Sequence, residues 1–202
     1  MSKLKLTKTE LKTQTDALKQ YRRFLPTLQL KKQQLQSELR KSRDLVEANR
    51  LEYENLRRQL DAFAGLYADA GAMEFVLQNL RIRSVIRGSE NIAGITVPTF
   101  DHVEFECRAY DMFEAEFWLD AGLKTVQKLI SCKEAGKVLE EQYHLLNQEL
   151  MSTTQRVNLF EKVKIPECLE NIRKIQIYLG DATTAAVVRS KIAKRKLQES
   201  AA

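Results

Sequence analysis

Glycine and proline are scarce in this chain of 202 residues, which contains 7 glycines and 3 prolines. Turns and loops depend on these two residues, so the sequence has little material for joining many short elements. Aromatic residues are also few, at 7% of the chain, whereas charged residues make up 30%. This composition is typical of long helices with a solvated surface and argues against a large globular core.

The cysteine content and the hydropathy pattern exclude further classes. The three cysteines, Cys107, Cys132 and Cys168, are odd in number and form no Cys-x-x-Cys pair. Neither a disulfide framework nor a zinc site is indicated, and we expect reduced thiols in a cytoplasmic protein. The N-terminus has no apolar signal-peptide core, and no run approaches the ~18 apolar residues of a membrane span. We therefore expect a soluble chain that meets a membrane only through other proteins.

Motifs of catalytic and metal sites are missing as well. Gly136-Lys137 is followed by Val138, so the phosphate-binding loop pattern fails there. His102 and His144 lie far apart without suitably spaced ligands, and each is interpreted as an ordinary surface or interface histidine. No Gly-x-Ser-x-Gly element or Cys/His pair suggests a nucleophile. We expect a chain without catalytic residues, cofactor or metal.

A heptad repeat of apolar residues holds one register through the first third of the chain. Stepping by seven gives Leu4, Leu11, Leu18, Leu25, Lys32, Leu39, Val46, Tyr53 and Leu60, and only Lys32 breaks the pattern. The positions three further on are Thr7, Gln14, Tyr21, Leu28, Leu35, Ser42, Asn49, Leu56 and Phe63. A stripe this long and narrow predicts a coiled-coil helix over residues 1–64. Pro26 predicts a local kink in that helix.

A second helical pattern over residues 112–202 supplies the expected partner. Its apolar residues at spacings of three, four or seven are Leu139, Tyr143, Leu146, Leu150, Val157 and Phe160. After a phase slip of one or two residues, the pattern continues as Ile165, Leu169, Ile172 and Leu179. We predict a mainly α fold in which the two long helices form an antiparallel coiled coil.

The middle segment, residues 65–111, has a different pattern. Residues 66–80 predict a short helix, whereas Ser84–Gly88, Ile92–Val97 and Val103–Cys107 predict short strands. The positions assigned to turns, bulges, strand ends or a sheet edge are Gly88, Asn91, Gly94 and Pro98. We expect a small knob with a β-hairpin at the bend between the long helices.

Charge is distributed unevenly along the chain. Residues 1–64 carry a net charge of +7, residues 65–111 a net of −3 and residues 112–202 a net of +2. The basic residues near the C-terminus are Arg189, Lys191, Lys194, Arg195 and Lys196, and folding back is expected to join them to Lys3, Lys5, Lys8 and Lys12. Such a tip is a solvated helix end, a surface for an acidic protein or a phosphate-binding patch. The lack of interleaved aromatic residues argues against nucleic acid.

Three short elements carry a resemblance to a known family. Residues 155–179 contain an Arg-Val-Asn-x-Phe-Glu element, a later Ile-Pro pair and then spaced isoleucines. The residues concerned are Arg156, Val157, Asn158, Phe160, Glu161, Ile165, Pro166, Leu169, Glu170, Ile172 and Ile175. Together with Asn91–Pro98 and Thr7-x-Thr9-Glu10-Leu11, they resemble the D subunit of rotary V/A-type ATPases over nearly the whole chain. Gln155, Pro26 and the tail from Ala186 depart from that pattern.

The resemblance implies a non-catalytic central-stalk subunit without a cofactor. Such a shaft sits in a ring of alternating catalytic and non-catalytic subunits. Its knob end couples, through a small partner and a connector, to a membrane rotor that moves protons or sodium. By this resemblance, the complex is expected to be peripheral on the cytoplasmic face. The partner-contact candidates are Arg156, Asn158, Pro166, Arg189, Lys191, Lys194 and Arg195.

These candidates have structural alternatives. Asn158 is alternatively a seam asparagine that sets the helix register, Arg156 a solvated surface charge, and Pro166 a residue that shapes the helix. For the whole chain, the alternatives are a coiled-coil scaffold of a cytoplasmic or secretion assembly and a basic helical nucleic-acid binder. The scaffold leaves the hairpin and the pattern at residues 155–179 unexplained, and binding that weakens steeply with salt would favour the nucleic-acid binder.

Overall fold

The computed structural model describes residues 4–62, 80–107 and 119–200. Its elements in chain order are helix α1 (Lys8–Ala62), strand β1 (Leu80–Ile92), strand β2 (Ile95–Cys107), helix α2 (Leu119–Asn158), a π-helical segment (Leu159–Lys164) and helix α3 (Ile165–Ser200). The predicted fold, mainly α with a β-hairpin between long helices, is confirmed. The short helix expected over 66–80 lies outside the described residues, apart from Leu80, which begins β1. The start expected near Met112 also lies outside them.

The chain forms two compact units. One contains Met1–Lys32 with Ser152–Ala202, and the other contains Gln33–Met151. In the second unit α1 and α2 run antiparallel, because Asn49 contacts Cys132 while the earlier Leu35 packs near the later Leu146. In the first unit the rings of Tyr21 and Phe160 lie 5.0 Å apart.

The heptad register predicted for the first helix is confirmed by burial. Every heptad position from Leu4 to Leu60 is buried or half-buried, including Lys32, and so is every position three residues further on from Gln14 to Leu56. Thr7 is exposed and caps α1 instead, since its Oγ1 accepts a hydrogen bond from the N–H of Glu10 at 3.3 Å. Helix α1 continues through Pro26 without interruption.

The phase slip predicted between Phe160 and Ile165 is confirmed as a π turn. The N–H of Ile165 donates to the carbonyl of Phe160, five residues earlier. This wider turn adds a residue to the helix and rotates the following part back toward its partner. One seam assignment is wrong: Leu169 is 43% exposed, and the neighbouring Cys168 is buried in its place.

The β-hairpin consists of two antiparallel strands of 13 residues each. Val103–Cys107, predicted as a separate strand, is the continuation of β2. Ile92 and Ile95 flank a two-residue turn, in which Ala93 and Gly94 have φ of 52° and 82°. Positive φ at both positions is the type I′ pattern, which matches the twist of the strands. The turn predicted at Gly94 is confirmed, but the single strand predicted over Ile92–Val97 is wrong, because this turn divides that segment between β1 and β2.

Gly88 and Pro98 have other places in the hairpin. Gly88 was expected in a turn or bulge, but it lies within β1 opposite Thr99. A β-carbon there would lie 2.7 Å from Oγ1 of Thr99, so glycine permits a close approach of the strands. Pro98 lies within β2 rather than at its end. In a two-stranded sheet each strand is an edge, which agrees with the edge position considered for this proline.

Candidate functional site

The tip of the hairpin packs against the helix pair of the second unit. Leu35 of α1, Val97 of β2 and Leu146 of α2 are each 0% exposed and form one cluster. The half-buried residues around this cluster are Leu39, Ile92, Ala93, Ile95, Leu145 and Leu150. Because three elements meet here, the hairpin is held on the helices by apolar burial rather than projecting from them.

Polar contacts support this placement further along the strands. Arg87 of β1 lies 3.3 Å from the carboxylate of Glu141 on α2. Both side chains are about half exposed, so we assign the pair about 0–1 kcal/mol and a positioning role. Within the hairpin, the hydroxyl of Ser84 donates to Glu104 across the strands at 2.6 Å.

Two grooves lie on the surface of the second unit. One, of about 860 Å³, is lined by Leu56 of α1, Phe100 and Phe105 of β2, and Lys128 of α2, among others. The other, of about 350 Å³, is lined by residues of α1 and α2. Asn49 lines both grooves. Such grooves can accept apolar side chains from a partner.

The seam between the grooves is polar and closely packed. The side-chain amide of Asn49 donates to Sγ of Cys132 at 3.4 Å, and that thiol donates to the carbonyl of Asn49 at 3.6 Å. Gly136 faces the same side chain and leaves room for its Oδ1. A polar group in an apolar seam favours one register, because every slipped register buries it without a partner. Gly136 thus has a packing role. The sequence had already excluded a phosphate-binding loop at this residue.

Thiols and histidines have ordinary surroundings. Cys132 and Cys168 are buried free cysteines. Burial raises the pKa of both, with further contributions from the carboxylates of Glu52 and Glu167 respectively. His102 is exposed and lies 3.2 Å from Asp101. Among the described residues, no group of three or more His, Cys, Asp or Glu is arranged to hold a metal ion.

The predicted contact residues fall into two groups along the chain. Arg156 and Asn158, near the end of α2, and Pro166, near the start of α3, are all exposed. The alternative interpretation of Asn158 as a seam residue is wrong, because its neighbour Val157 is the buried one. The second group, Arg189, Lys191, Lys194 and Arg195, is exposed on α3. At ~1.5 Å per residue, roughly 35–45 Å of helix separates Pro166 from this group.

The C-terminal part of α3 lies uncovered. Residues 180–199 are all exposed, whereas Ile175 is fully buried. Since Tyr21 lies opposite Phe160, Lys8 is level with about residue 173, and Arg189 lies a further ~24 Å along the helix. The basic end therefore extends past Lys8 instead of joining it, and the expected joint tip is not formed. Lys3 lies outside the described residues.

This uncovered part carries both aliphatic and basic residues. Ala185, Val188 and Ile192 recur at spacings of three and four, which places them on one side of α3, and Ile192 is 51% exposed. The basic Lys191 and Lys194 lie on another side, because they follow the same spacing in a different phase. Sequence reasoning recognised the charges but missed the aliphatic stripe, although its spacing was readable before the structure.

Comparison with known proteins covers nearly the whole chain. The sequence model of the family described as the ATP synthase D subunit matches residues 10–195. This chain belongs to the ATP synthase D-subunit family. It is 44% identical over 197 residues to the V-type ATP synthase D subunit of Borreliella burgdorferi, and the match covers 98% of this chain and 96% of that relative.

Other relatives in the D-subunit family agree. The V-type ATP synthase D subunit of Chlamydia felis is 32% identical, with 98% of this chain and 95% of the relative covered. That of Chlamydia caviae is 33% identical with the same coverage. The resemblance seen in the sequence is thus confirmed, and the chain is a subunit of the V-type rotary ATPase class. In the part of this family member that the structure describes, no helix has the length and apolarity required to cross a membrane.

Proposed function

We propose that this chain is the non-catalytic central shaft of a V-type ATP synthase or ATPase. In this role it couples ATP synthesis or hydrolysis in a ring of other subunits to proton or sodium transport by rotation. The observation that carries the proposal is full-length similarity to V-type ATP synthase D subunits, combined with a helix pair whose α3 end is uncovered. The complex would be peripheral on the cytoplasmic face of the membrane.

The helix pair suits a shaft because torque needs two interlocked elements. A single helix twists easily, whereas side chains of two helices that fit between one another resist relative rotation. The buried seam residues Leu18, Leu35, Leu146 and Ile175 supply that contact in the two units. The polar contact of Asn49 with Cys132 opposes slippage along the seam.

The uncovered end of α3 is the proposed bearing inside the ring of alternating catalytic and non-catalytic subunits. Its aliphatic stripe can slide against an apolar collar, because apolar contact has no directional requirement. Its basic residues, including Arg189 and Lys191, can attract acidic groups of the ring without a fixed geometry, since exposed pairs contribute only ~0–1 kcal/mol each. A helix with unlike faces contacts each catalytic site differently, and binding of nucleotide then shifts the population of ring conformers.

The second unit is the proposed attachment for a small stalk partner and for the connector to the membrane rotor. The larger groove combines the rings of Phe100 and Phe105 with the cationic Lys128. Aromatic anchors with a charged margin are typical of protein interfaces. The exposed Arg156 and Asn158 remain proposed contacts of the first unit, near the end of α2.

The first experiment is native mass spectrometry of tagged chain, purified gently from its own cells after membranes are solubilised. One copy together with three catalytic and three non-catalytic ATPase subunits and a small partner is the expected result. A homodimer, or partners without a nucleotidase, would contradict the proposal and favour a scaffold.

A matched pair of variants tests the bearing. Val188→Ser with Ile192→Ser removes the aliphatic stripe, whereas Leu51→Ser changes a similarly exposed leucine of α1. We expect the first variant to assemble but to lose coupled ion transport, and the control to retain it. Equal transport by both variants would refute a bearing role for this stripe.

A further inference from the structure

The π turn lies at a specific place in the first unit. It separates Val157, the last buried seam residue of α2, from Cys168, the first of α3. Because both sides of the turn bury seam residues, the extra residue is a phase correction that keeps two helical stretches against one partner. The ring contact between Tyr21 and Phe160 anchors the turn to α1 at its first end.

Pro166 fixes the position of the turn. Proline has no N–H, and in an α-helix its ring would crowd the carbonyl four residues earlier, that of Lys162. A π turn directly before the proline avoids this conflict because the turn is wider there. The Lys164 ammonium and the Glu167 carboxylate, 3.1 Å apart, bridge the same place on the surface.

The turn buries fewer side chains than the helices beside it. None of its six residues is buried, and Leu159 and Val163 are 44% and 49% exposed. Few buried apolar contacts and water-accessible backbone hydrogen bonds are the features of segments that open at low free energy. The stretches before and after it are held by buried side chains, including Thr153 and Ile175.

We propose that the π turn is a torsional hinge, pinned in place by Pro166, about which α3 twists relative to α2 while the seam on both sides stays paired. The use of this hinge rests on the proposed function. Under torque, it lets the uncovered end of α3 twist relative to α2 and then twist back. The motion is not a conversion of the whole π turn to α-helix. Without the wider turn, the phase of α3 would shift by one residue, which rotates α3 by about 100° and exposes Cys168 and Ile175.

The test is residue-resolved hydrogen–deuterium exchange on the full chain. In the native chain, the amides of Val163, Lys164, Ile165 and Glu167 should exchange about tenfold or more faster than those of the turns centred on Thr153 and Ile172. Pro166→Ala should spread fast exchange into the adjoining turns, because the unpinned π turn can then migrate. Deletion of Val163 combined with Pro166→Ala should abolish fast exchange in this region. The extra residue is then gone, and no proline interrupts the α-helix.

Pro26→Ala is the matched control, since it changes a proline in a helix without a π turn and should leave exchange in α3 unaltered. Uniformly slow exchange across residues 155–175 in the native chain would overturn the hinge. So would fast exchange that persists in the deletion variant. Native mass spectrometry of the same chain separates the two ideas: failure to join an ATPase refutes the proposed shaft and leaves the exchange result standing.

Discussion

The side-chain oxygen of Asn49 occupies the space that a β-carbon of residue 136 would need, at a distance of only 2.6 Å from it. Gly136 on α2 and Asn49 on α1 are therefore matched in size. Asn49 also exchanges hydrogen bonds with Cys132, one turn earlier on α2. The three residues fit closely together in the seam of the second unit, and the fit can be tested by substitution.

Gly136→Ala should lower the free energy of unfolding by about 1–3 kcal/mol, because an added methyl forces Asn49 to move and lose its contact with Cys132. Gly180→Ala is the matched control, since a β-carbon there meets no atom within 4 Å. The control should be stabilised by about 0.5–1 kcal/mol from helix propensity alone. Denaturant unfolding of both variants gives the comparison, and equal stabilisation would refute the predicted clash.

The same clash should disappear when its second partner is removed. In an Asn49→Ala background, Gly136→Ala should raise stability by about 0.5–1 kcal/mol, as at an open helical site. The change of sign defines a coupling between the two residues in a double-mutant cycle. Additive effects would show that Asn49 is not the side chain that opposes a larger residue at 136.

Ser42→Ala should leave stability unchanged or raise it slightly. The Oγ of Ser42 is buried and has no hydrogen-bond partner in the described part of the chain. Burying this hydroxyl away from water costs free energy that no hydrogen bond offsets, and the substitution removes that cost. Ser84→Ala serves as the control, because it breaks the 2.6 Å hydrogen bond to Glu104 and should cost about 1 kcal/mol. Thermal unfolding followed by circular dichroism measures both, and a larger loss at Ser42 would disprove the account.

Leu146→Ala should destabilise the second unit by about 2–5 kcal/mol, because it opens a cavity where both helices and the hairpin meet. Leu45→Ala changes a leucine that is 54% exposed and should have an effect within about 0.5 kcal/mol. Proteolysis at the hairpin should accelerate only in the Leu146 variant. If both variants resist proteases equally, the hairpin is held by other contacts, such as that between Arg87 and Glu141.

Cys132 and Cys168 should react slowly with iodoacetamide in the folded chain at neutral pH. Burial raises the pKa of each thiol, so the reactive thiolate is scarce, and access is restricted as well. In a Cys107→Ser background, alkylation should speed up strongly once denaturant unfolds the chain. Rates in the folded chain close to those of a free thiol would contradict the burial of these groups.

These thiols also predict a dependence of stability on pH. A folded pKa above the unfolded value means that the folded chain holds its protons longer, so stability is fully present at low pH and falls as pH rises above about 9. Replacing Cys132 and Cys168 by serine should make stability fall less steeply as the pH rises. Denaturant midpoints between pH 7 and about 10.5 measure it, and an unchanged slope would refute the linkage.

The sequence alone determined the regular part of this protein. The heptad register of α1, its helical partner and the phase slip before Ile165 were all readable, because a coiled-coil seam is local and repeats along the chain. The turn at Gly94 was readable because positive φ restricts residue choice. The family resemblance depended on the same local elements and was confirmed by comparison.

Only the tertiary structure decided the contacts between segments distant in the chain. It packed Val97 against Leu35 and Leu146, gave Gly136 its role beside Asn49 and placed Cys168 rather than Leu169 in the seam. It also left the end of α3 uncovered, which the charge pattern had assigned to a joint tip with Lys8. A periodic pattern states which residues need burial, but it does not state what covers them. That choice depends on how the separate segments fit together in space.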